Sequence, residues 1–314
     1  MTPFLQFKPI YQERVWGGRM LESFLGRKVP GTAPIGESWE IVDRPEAQSV
    51  VSGGPWAGRT LHEIMTEYPA AIMGPAWPKH RPFPILVKWL DCRDRLSVQV
   101  HPPAGIAPQL GGEPKTENWY FARTDPGAKV YAGLRPGVTR ASFEQAIGAG
   151  TVDHCLDHLP VHEGDSLLIP SGTMHAIDAG NMILDIQQNS DTTYRVYDWG
   201  RLGLDGKPRT LHVRESLESL SANTAPAPRL VQGAGVLAQC REFTIRREEL
   251  QAGARLSFAA GQQARIISVV SGELPAGATV LKTGGNILLP YAGGFDFVAK
   301  SAAAVLVTEN FSAP

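Results

Sequence analysis

The chain has 314 residues, a formal net charge of −1, and almost equal numbers of basic and acidic residues, 30 and 31. This balance gives no sign of binding to DNA, RNA or an anionic membrane surface, whereas a small anionic substrate needs only local positive charge. The length exceeds the usual size of a single hydrophobic core, so we expect two domains.

Cysteine usage and the N-terminus favour a reducing compartment. Cys92, Cys155 and Cys240 lie far apart and form no CxxC pair, and one of the three is necessarily left over. These features argue against a disulfide scaffold and against a cysteine zinc site. The first residues lack the pattern of a signal peptide, and no apolar run is long enough to span a bilayer. We expect a cytoplasmic location.

The pattern of the chain predicts a mainly β fold. Glycine and proline divide the sequence into short segments rich in Val, Ile, Leu and aromatic residues, which is typical of strands and turns. The clearest predicted strands are Ser38–Val42, Ile85–Leu90, Leu96–Val100, Ser166–Ile169, Met182–Gln187, Thr193–Tyr197, Ile266–Val270 and Ala303–Val307. Two helices are predicted, Thr60–Glu67 and Thr139–Ile147.

A change in composition marks the predicted domain boundary. Residues 222–228 have the Ala, Pro, Asn and Thr content of a linker, and the chain beyond them contains no histidine. We therefore predict a metal-binding catalytic domain over residues 1–225, with small helical insertions, and a C-terminal β domain over residues 226–314. In the second domain, Gly284 and Pro290 repeat the spacing of Gly164 and Pro170, but Phe295 stands near the place of the expected histidine.

Four residues form the predicted metal site. Gln99 and His101 are two apart in a strand, so their side chains point to the same face. Glu117 returns to this face after a glycine-containing loop, and His175 follows the turn at the end of the strand Ser166–Ile169. Two imidazoles, a carboxylate and an amide oxygen suit zinc, manganese, iron or cobalt, with zinc as the first choice.

Dense polar chemistry follows the predicted metal hairpin, over residues 185–201. Asp185 on a strand predicts a further polar group in the pocket, and Arg195 and Arg201 could hold an anion, because a guanidinium matches phosphate well. A structural salt bridge to Asp191 or Asp198 is the competing interpretation of Arg195. Lys88 and Lys115 are further candidate cations.

Several of these segments together resemble one enzyme family. Residues 96–102 (LSVQVHP), 115–120 (KTENWY), 170–175 (PSGTMH) and 191–201 are similar to motifs of type I phosphomannose isomerases, above all of the short bacterial form. The N-terminal segments 15–18 (VWGG) and 36–40 (GESWE) also resemble that family. The resemblance runs to about residue 201, and the last third of the chain matches weakly.

The resemblance implies a cupin fold, a double-stranded β-helix, with a second and smaller cupin-like barrel in the C-terminal domain. It implies one zinc ion per chain held by Gln99, His101, Glu117 and His175, and the interconversion of mannose 6-phosphate and fructose 6-phosphate. Ordinary cupins carry His-x-His where this chain has Gln99-x-His101, and that difference is itself a mark of the isomerase family. The extended helical domain of the longer relatives is absent from the sequence.

Aldose–ketose isomerisation through an enediol requires a base, stabilisation of the enediolate and a grip on the substrate. Our hypothesis assigns Arg195, Lys115 and Asp185 to catalysis, with Asp185, Lys115 and a metal-bound water as alternative bases. We expect the substrate to contact five further residues, namely Lys88, Ser97, Arg201, Trp16 and Glu37.

Two other functions are consistent with the sequence. Two histidines and one carboxylate also form the facial triad of non-haem iron, so a cupin oxygenase is one alternative, against which Gln99 and the cationic residues argue. The other is a sugar-phosphate-binding cupin without catalysis. A related hexose or pentose phosphate could replace mannose 6-phosphate, and we expect a monomer or a small homo-oligomer.

Overall fold

The structure is a computed structural model that describes residues 3–221 and 226–312. The strands of this part of the chain are β1 (Ile10–Gly18), β2 (Ile35–Ile41), β3 (Asp43–Arg44), β4 (Ala47–Gln48), β5 (Ile85–Cys92), β6 (Val98–Val100), β7 (Glu117–Thr124), β8 (Lys129–Leu134), β9 (Leu156–Pro160), β10 (Ser166–Ile169), β11 (His175–Ile177), β12 (Asn181–Gln188), β13 (Tyr194–Tyr197), β14 (Leu230–Val231), β15 (Gly235–Gln239), β16 (Thr244–Leu250), β17 (Arg255–Phe258), β18 (Arg265–Ser271), β19 (Glu273–Ala276), β20 (Thr279–Lys282), β21 (Asn286–Leu289), β22 (Phe295–Val298) and β23 (Ala303–Glu309). The helices are α1 (Met20–Ser23), α2 (Leu61–Glu67), α3 (Pro69–Met73), α4 (Arg140–Ala149) and α5 (Val213–Ser221), and short 3₁₀ turns lie at Ala107–Leu110 and Val152–Cys155.

The predicted mainly β fold is confirmed, and each predicted strand lies on an observed one. The prediction for residues 166–169 matches β10 at both ends, whereas the segment predicted from Leu96 onward is regular only in β6. Leu96 lies outside β6, because its backbone forms other hydrogen bonds. Its N–H donates to the Ile177 carbonyl, and its carbonyl accepts from the Trp199 indole.

Both predicted helices are present and begin as expected. Thr60 caps α2, accepting a hydrogen bond from the backbone N–H of Glu63, whose side chain bonds back to the Thr60 N–H. Thr139 caps α4 through the same reciprocal arrangement with Ser142. Such capping boxes satisfy donors that a helix start leaves without partners. No helix of the described residues is long and apolar enough to cross a membrane.

The chain divides into two compact units. Unit A comprises residues 11–38 and 89–230, and unit B comprises residues 1–10, 39–88 and 231–314, each apart from its undescribed residues. The boundary predicted at residue 225 falls in residues 222–225, outside the described part of the chain, and stays a prediction.

Unit A contains two antiparallel arrangements that carry the predicted site. In one, β7 lies between β10 and β12. The other is a five-stranded sheet with the order β13-β6-β11-β8-β9. Trp119 and Phe121, two apart on β7, pack in a buried cluster with Leu167 and Ile183. Glu117 has the same strand parity and therefore points to the same face.

On β6, the residues on either side of the predicted ligand point into a hydrophobic core. Val98 and Val100 pack in a second buried cluster with Phe143 of α4 and Leu217 of α5. Gln99, between them, must point to the other face of this sheet. Burial of the two valines beneath helices thus makes β6 a rigid platform for Gln99.

Unit B has its own core and repeats the hairpin of unit A. Its five-stranded sheet has the order β15-β16-β23-β18-β21, and its buried cluster includes Ile267, Val305 and Phe297. Gly284 has a positive φ of 91°, β21 follows, and β22 begins at Phe295. In unit A, Gly164 has a φ of 89°, β10 follows, and β11 begins at His175. The glycine before the first strand of each hairpin therefore has the same conformation. The connections differ, because Gly172, between β10 and β11, has a φ of 89°, whereas Gly293, between β21 and β22, does not have a positive φ.

Candidate metal centre and active site

The predicted metal ligands come together from three strands. His175 begins β11 and lies opposite Gln99 of β6 in register, and His101 immediately follows β6. Glu117 begins β7, opposite Gln187 of β12. Each ligand thus sits at or beside the end of a strand whose neighbours fix the backbone.

Three of these residues form a tight, buried cluster. Ligand atoms of His101, Glu117 and His175 lie within 4.8 Å of one another. His101 Nε2 is 3.5 Å from Glu117 Oε2, and His175 Nε2 is 3.4 Å from Glu117 Oε1. The three residues are only 1% to 2% exposed. Among the described residues, no other group of His, Cys, Asp or Glu has this geometry.

Backbone carbonyls orient both imidazoles. His101 Nδ1–H donates to the Thr192 carbonyl at 2.8 Å, and His175 Nδ1–H donates to the Thr173 carbonyl at 2.8 Å. These bonds place the protons on Nδ1 and leave the Nε2 lone pairs facing the cluster, as in metal sites generally. His101 Nε2 is buried and has no hydrogen-bond partner within the described chain.

The charge states of the cluster suit a cation. Burial lowers the pKa of His101 to about 3, and the neighbouring Lys115 ammonium acts in the same direction. His101 is therefore a neutral imidazole at neutral pH, the form that binds metals. Burial alone would raise the pKa of Glu117, but neighbouring positive charge, foremost the Lys115 ammonium, holds this pKa well below its usual value. Glu117 is thus an anion.

Gln99 completes the donor set. Its Nε2 lies 3.4 Å from His175 Nε2, and its Oε1 accepts a hydrogen bond from Ser97 Oγ at 3.1 Å. A half-turn of the amide brings Oε1 to the cluster and leaves Nε2 to donate to the serine oxygen, which can also accept. With this turn, the four side chains fit a divalent metal of the zinc type.

Two predicted catalytic cations lie next to this cluster. Lys115 is 2% exposed, and its Nζ is 3.6 Å from Glu117 Oε2. Arg195 lies on β13 directly opposite Gln99. The Arg195 guanidinium donates to Ser97 Oγ at 3.2 Å and to the Thr210 carbonyl at 3.1 Å.

Arg195 does not form the salt bridge that the sequence left open. Within the described residues it has no carboxylate at ion-pair distance, and Asp198 is held instead by Arg201 at 2.9 Å and Arg209 at 2.6 Å. These two guanidiniums hold the pKa of Asp198 below its usual value, against the opposing effect of burial. The Arg195 charge is therefore available to a ligand.

Asp185, the third predicted catalytic residue, lies on β12 opposite Trp119. Gln187, two residues further along β12, lies opposite Glu117. The side chains of Asp185, Gln187, Trp119 and Glu117 therefore share one face of the sheet. Asp185 is 1% exposed. Its placement deepens the polar part of the pocket beyond the histidines.

Arg201 faces a second pocket but stays close to Arg195, since burial and the charges of Arg209 and Arg201 lower the pKa of Arg195. The register of β13 shifts between Arg195 and Tyr197, which brings Tyr197 opposite Val98, on the side of the sheet covered by helices. Arg201 lines a separate pocket of about 470 Å³ with Tyr197 and Ile147 of α4. The structure thus brings Arg195 to the metal ligands and Arg201 to this second pocket.

The other predicted substrate contacts have varied surroundings. Ser97 is buried between Arg195 and Gln99. Trp16 packs in the hydrophobic cluster of Trp119, and Glu37 accepts a hydrogen bond from Arg14 at 2.8 Å. Lys88 is 5% exposed on β5, in unit B. Contact of these residues with a substrate stays a prediction.

Sequence reasoning missed Thr173, Thr192 and Arg209. The two threonines orient the imidazoles through backbone carbonyls, which every residue type has, so the sequence holds no signal for that contact. Arg209 could have been noticed because residues 195–209 contain three arginines, namely Arg195, Arg201 and Arg209.

Comparison with known proteins decides the family. Residues 4–125 match the family model "Phosphomannose isomerase type I, catalytic domain". The mannose-6-phosphate isomerase of Streptococcus mutans is 37% identical over 289 residues, which cover 88% of this chain and 89% of that protein. The chain belongs to the type I phosphomannose isomerase family. The resemblance found in its motifs is confirmed.

Solved structures agree with this membership. The mannose 6-phosphate isomerase of Bacillus subtilis superposes with a TM-score of 0.85 at 28% identity, over 98% of this chain and 100% of that one. A zinc-bound mannose 6-phosphate isomerase superposes with a TM-score of 0.73 at 15% identity, over 97% and 99% of the two chains, and so shares the fold. Phosphomannose isomerase structures have cupin-type folds, which confirms the predicted fold class.

Proposed function

We propose that this phosphomannose isomerase homologue interconverts mannose 6-phosphate and fructose 6-phosphate at a zinc site. The buried cluster of His101, Glu117 and His175, with Lys115 and Arg195 beside it, is the observation that carries the proposal. Family membership supports the choice of substrate, and the cationic residues suit a sugar phosphate better than a neutral ligand.

One zinc ion per chain would be held by His101 Nε2, His175 Nε2, a Glu117 carboxylate oxygen and the amide oxygen of Gln99. When bound, zinc polarises substrate oxygens as a Lewis acid and stabilises developing negative charge. Other divalent metals of similar ligand preference are expected to compete, because borderline nitrogen and oxygen donors select weakly among them.

Arg195 supports the enediolate in this proposal. A guanidinium has five N–H groups, and the described contacts of Arg195 use two of them, toward Ser97 and Thr210. The remaining donors, and a charge with no carboxylate at ion-pair distance, are available to the substrate carbonyl. Such donors are most effective where negative charge develops in the transition state.

Asp185 and Lys115 are the two side chains proposed for proton transfer. The base takes a proton from C2 of the open-chain aldose while O1 gains a proton, and the enediol forms. A proton then returns to C1 while O2 loses its proton, which gives the ketose. One group can perform both transfers, because C1 and C2 are adjacent. Both residues are buried near the ligand set, so both can work away from bulk water.

We assign the binding of the rest of the sugar phosphate to five residues, namely Lys88, Ser97, Arg201, Trp16 and Glu37. Binding energy from the remote phosphate would position the reacting carbons. Ser97 is the best supported of these, because it bonds to both Arg195 and Gln99.

The proposal extends to organisation and location. We propose a second cupin-like domain without metal ligands over residues 226–314, consistent with the absence of histidine from that sequence. We also propose a cytoplasmic monomer or small homo-oligomer that binds neither nucleic acid nor membranes. The near-neutral charge and the three free cysteines support this description.

The test is incubation of the purified, zinc-loaded protein with mannose 6-phosphate in D₂O. We expect fructose 6-phosphate to form with deuterium at C1, because an enediol route exchanges the transferred proton with solvent when the base is accessible to exchange. Tight binding of the sugar phosphate without turnover would favour the non-catalytic alternative. Oxygen consumption with iron bound, and no isomerisation, would favour the oxygenase.

A further inference from the structure

Thr192 contacts both a metal ligand and the loop that leads to another. Its backbone carbonyl accepts the Nδ1–H bond of His101 at 2.8 Å. Its side-chain Oγ1 accepts the backbone N–H of Glu113 at 3.0 Å. One residue thus joins His101 to the segment that carries Lys115 and Glu117.

The same loop packs tightly against the surroundings of Thr192. A Cβ added to Gly112 would lie 2.7 Å from Thr192 Cγ2 and 2.5 Å from Tyr194 Oη, so only glycine fits this approach. Tyr194 Oη donates to the Leu110 carbonyl at 2.8 Å. Ser190 Oγ donates to the Glu113 carbonyl at 3.4 Å. Residues 110–113 are therefore fixed against residues 190–194.

This arrangement couples the position of the Thr192 carbonyl to the loop. The carbonyl keeps His101 Nε2 directed at Glu117, and the hydroxyl prevents the Thr192 backbone from shifting relative to Glu113. Partners that orient a ligating imidazole affect metal affinity and activity strongly. A small shift of Thr192 would therefore misalign His101 and displace Lys115 from Glu117.

We propose that Thr192 is a positioning residue, whose hydroxyl fixes the loop of residues 102–116 so that its carbonyl holds His101 in the metal-binding orientation. The inference rests on the proposed zinc site. It assigns a function to a side chain that touches neither the metal nor, by this account, the substrate.

The test compares Thr192→Val, which keeps the shape but loses the hydroxyl, with Thr192→Ser, which keeps the hydroxyl. Each zinc-loaded protein is mixed with excess chelator, and zinc release is followed with a colorimetric indicator. We expect the valine variant to release zinc about tenfold faster than the wild type, and the serine variant to behave like the wild type. The valine variant should also lose kcat more than it changes KM.

Zinc release from Thr192→Val at the wild-type rate would overturn the inference, as would equally fast release from Thr192→Ser. If the valine variant fails to fold, Tyr194→Phe tests the same loop by removing the bond to the Leu110 carbonyl, and unchanged zinc release would again contradict the account. Failure of the wild type to bind zinc would instead refute the proposed metal site, so the two failures are distinguishable.

Discussion

At the scale of single residues, the candidate site depends on protonation and orientation. Burial keeps His101 neutral, and a backbone carbonyl holds its proton on Nδ1, so Nε2 is available to a metal. Glu117 stays ionised because neighbouring positive charge, foremost the Lys115 ammonium, outweighs the effect of burial. A buried anion beside two directed lone pairs is a strong electrostatic site for a divalent cation.

Arg195→Ala should lower kcat by about 10²- to 10³-fold and change KM much less, because the lost donors act mainly on charge that develops in the transition state. Steady-state kinetics with mannose 6-phosphate measure both constants. Arg214→Ala is the matched control, since the Arg214 side chain is 72% exposed on α5. A folded Arg195→Ala protein with wild-type kcat would contradict the assigned role.

Alternation along strands made the ligands predictable. Gln99 and His101 were expected on one face because residues two apart share a side, and His175 because it follows a strand and a glycine turn. The second pocket was not predictable. The register shift between Arg195 and Tyr197 turns Tyr197 to the helix side of the sheet, and no local sequence signal marks this shift.

At the scale of elements, the cap at the start of α2 is expected to contribute measurably to the free energy of unfolding. Thr60→Ala removes the hydroxyl that accepts the Glu63 N–H at the start of α2, and should lower the free energy of unfolding by about 1 kcal/mol. Thr60→Ser keeps the acceptor and should lose little. Urea unfolding of the three proteins measures the difference, and an alanine variant as stable as the wild type would refute this role.

A buried carboxylate on β5, Asp91, is expected to make the free energy of unfolding depend on pH. Burial raises the pKa of Asp91 to about 6 from an ordinary value of 3.8, although the carboxylate accepts a hydrogen bond from the Met20 N–H at the start of α1. Between these two values the folded chain keeps a proton that the unfolded chain has lost. Stability contributed by this group therefore falls as pH rises through the window, and the loss is complete above about pH 6.

Asp91→Asn removes this titration. The free energy of unfolding of the variant, relative to the wild type, should rise by about 1 to 2 kcal/mol between pH 4 and pH 7. Denaturant unfolding of both proteins at matched metal content gives this difference at each pH. A difference that is the same across the range would show that Asp91 does not titrate as described.

Helix prediction rested on two different signals and missed α5. A threonine cap at Thr60 marked α2, and Phe143 and Ile147 at helical spacing marked α4. The α5 segment, Val213–Ser221, has Val213, Leu217 and Leu220 at helical spacing, so the signal was present in the sequence and was overlooked. Leu217 packs in one buried cluster with Phe143 and Val98, which stabilises the helix.

At the scale of the whole molecule, contacts distant in sequence define the units. In unit B, Leu5 pairs with Leu288, and the Tyr291 N–H donates to the Ile72 carbonyl. Linker composition near residue 225 contains no information on such pairings, so the sequence could suggest two domains but not which segments assemble. The glycine before the hairpin has the same conformation in both units, but within the described residues only unit A groups metal-ligating side chains, so this conformation alone does not make a metal site.

The central claim is that the His101, Glu117 and His175 cluster holds a zinc ion needed for isomerisation. The most direct test is mannose 6-phosphate isomerase activity before metal removal, after treatment with a chelator, and after return of zinc. We predict that activity disappears with the metal and returns as zinc approaches one equivalent per chain. Full activity in protein shown to be metal-free, or no activity in fully metallated protein, would contradict the account.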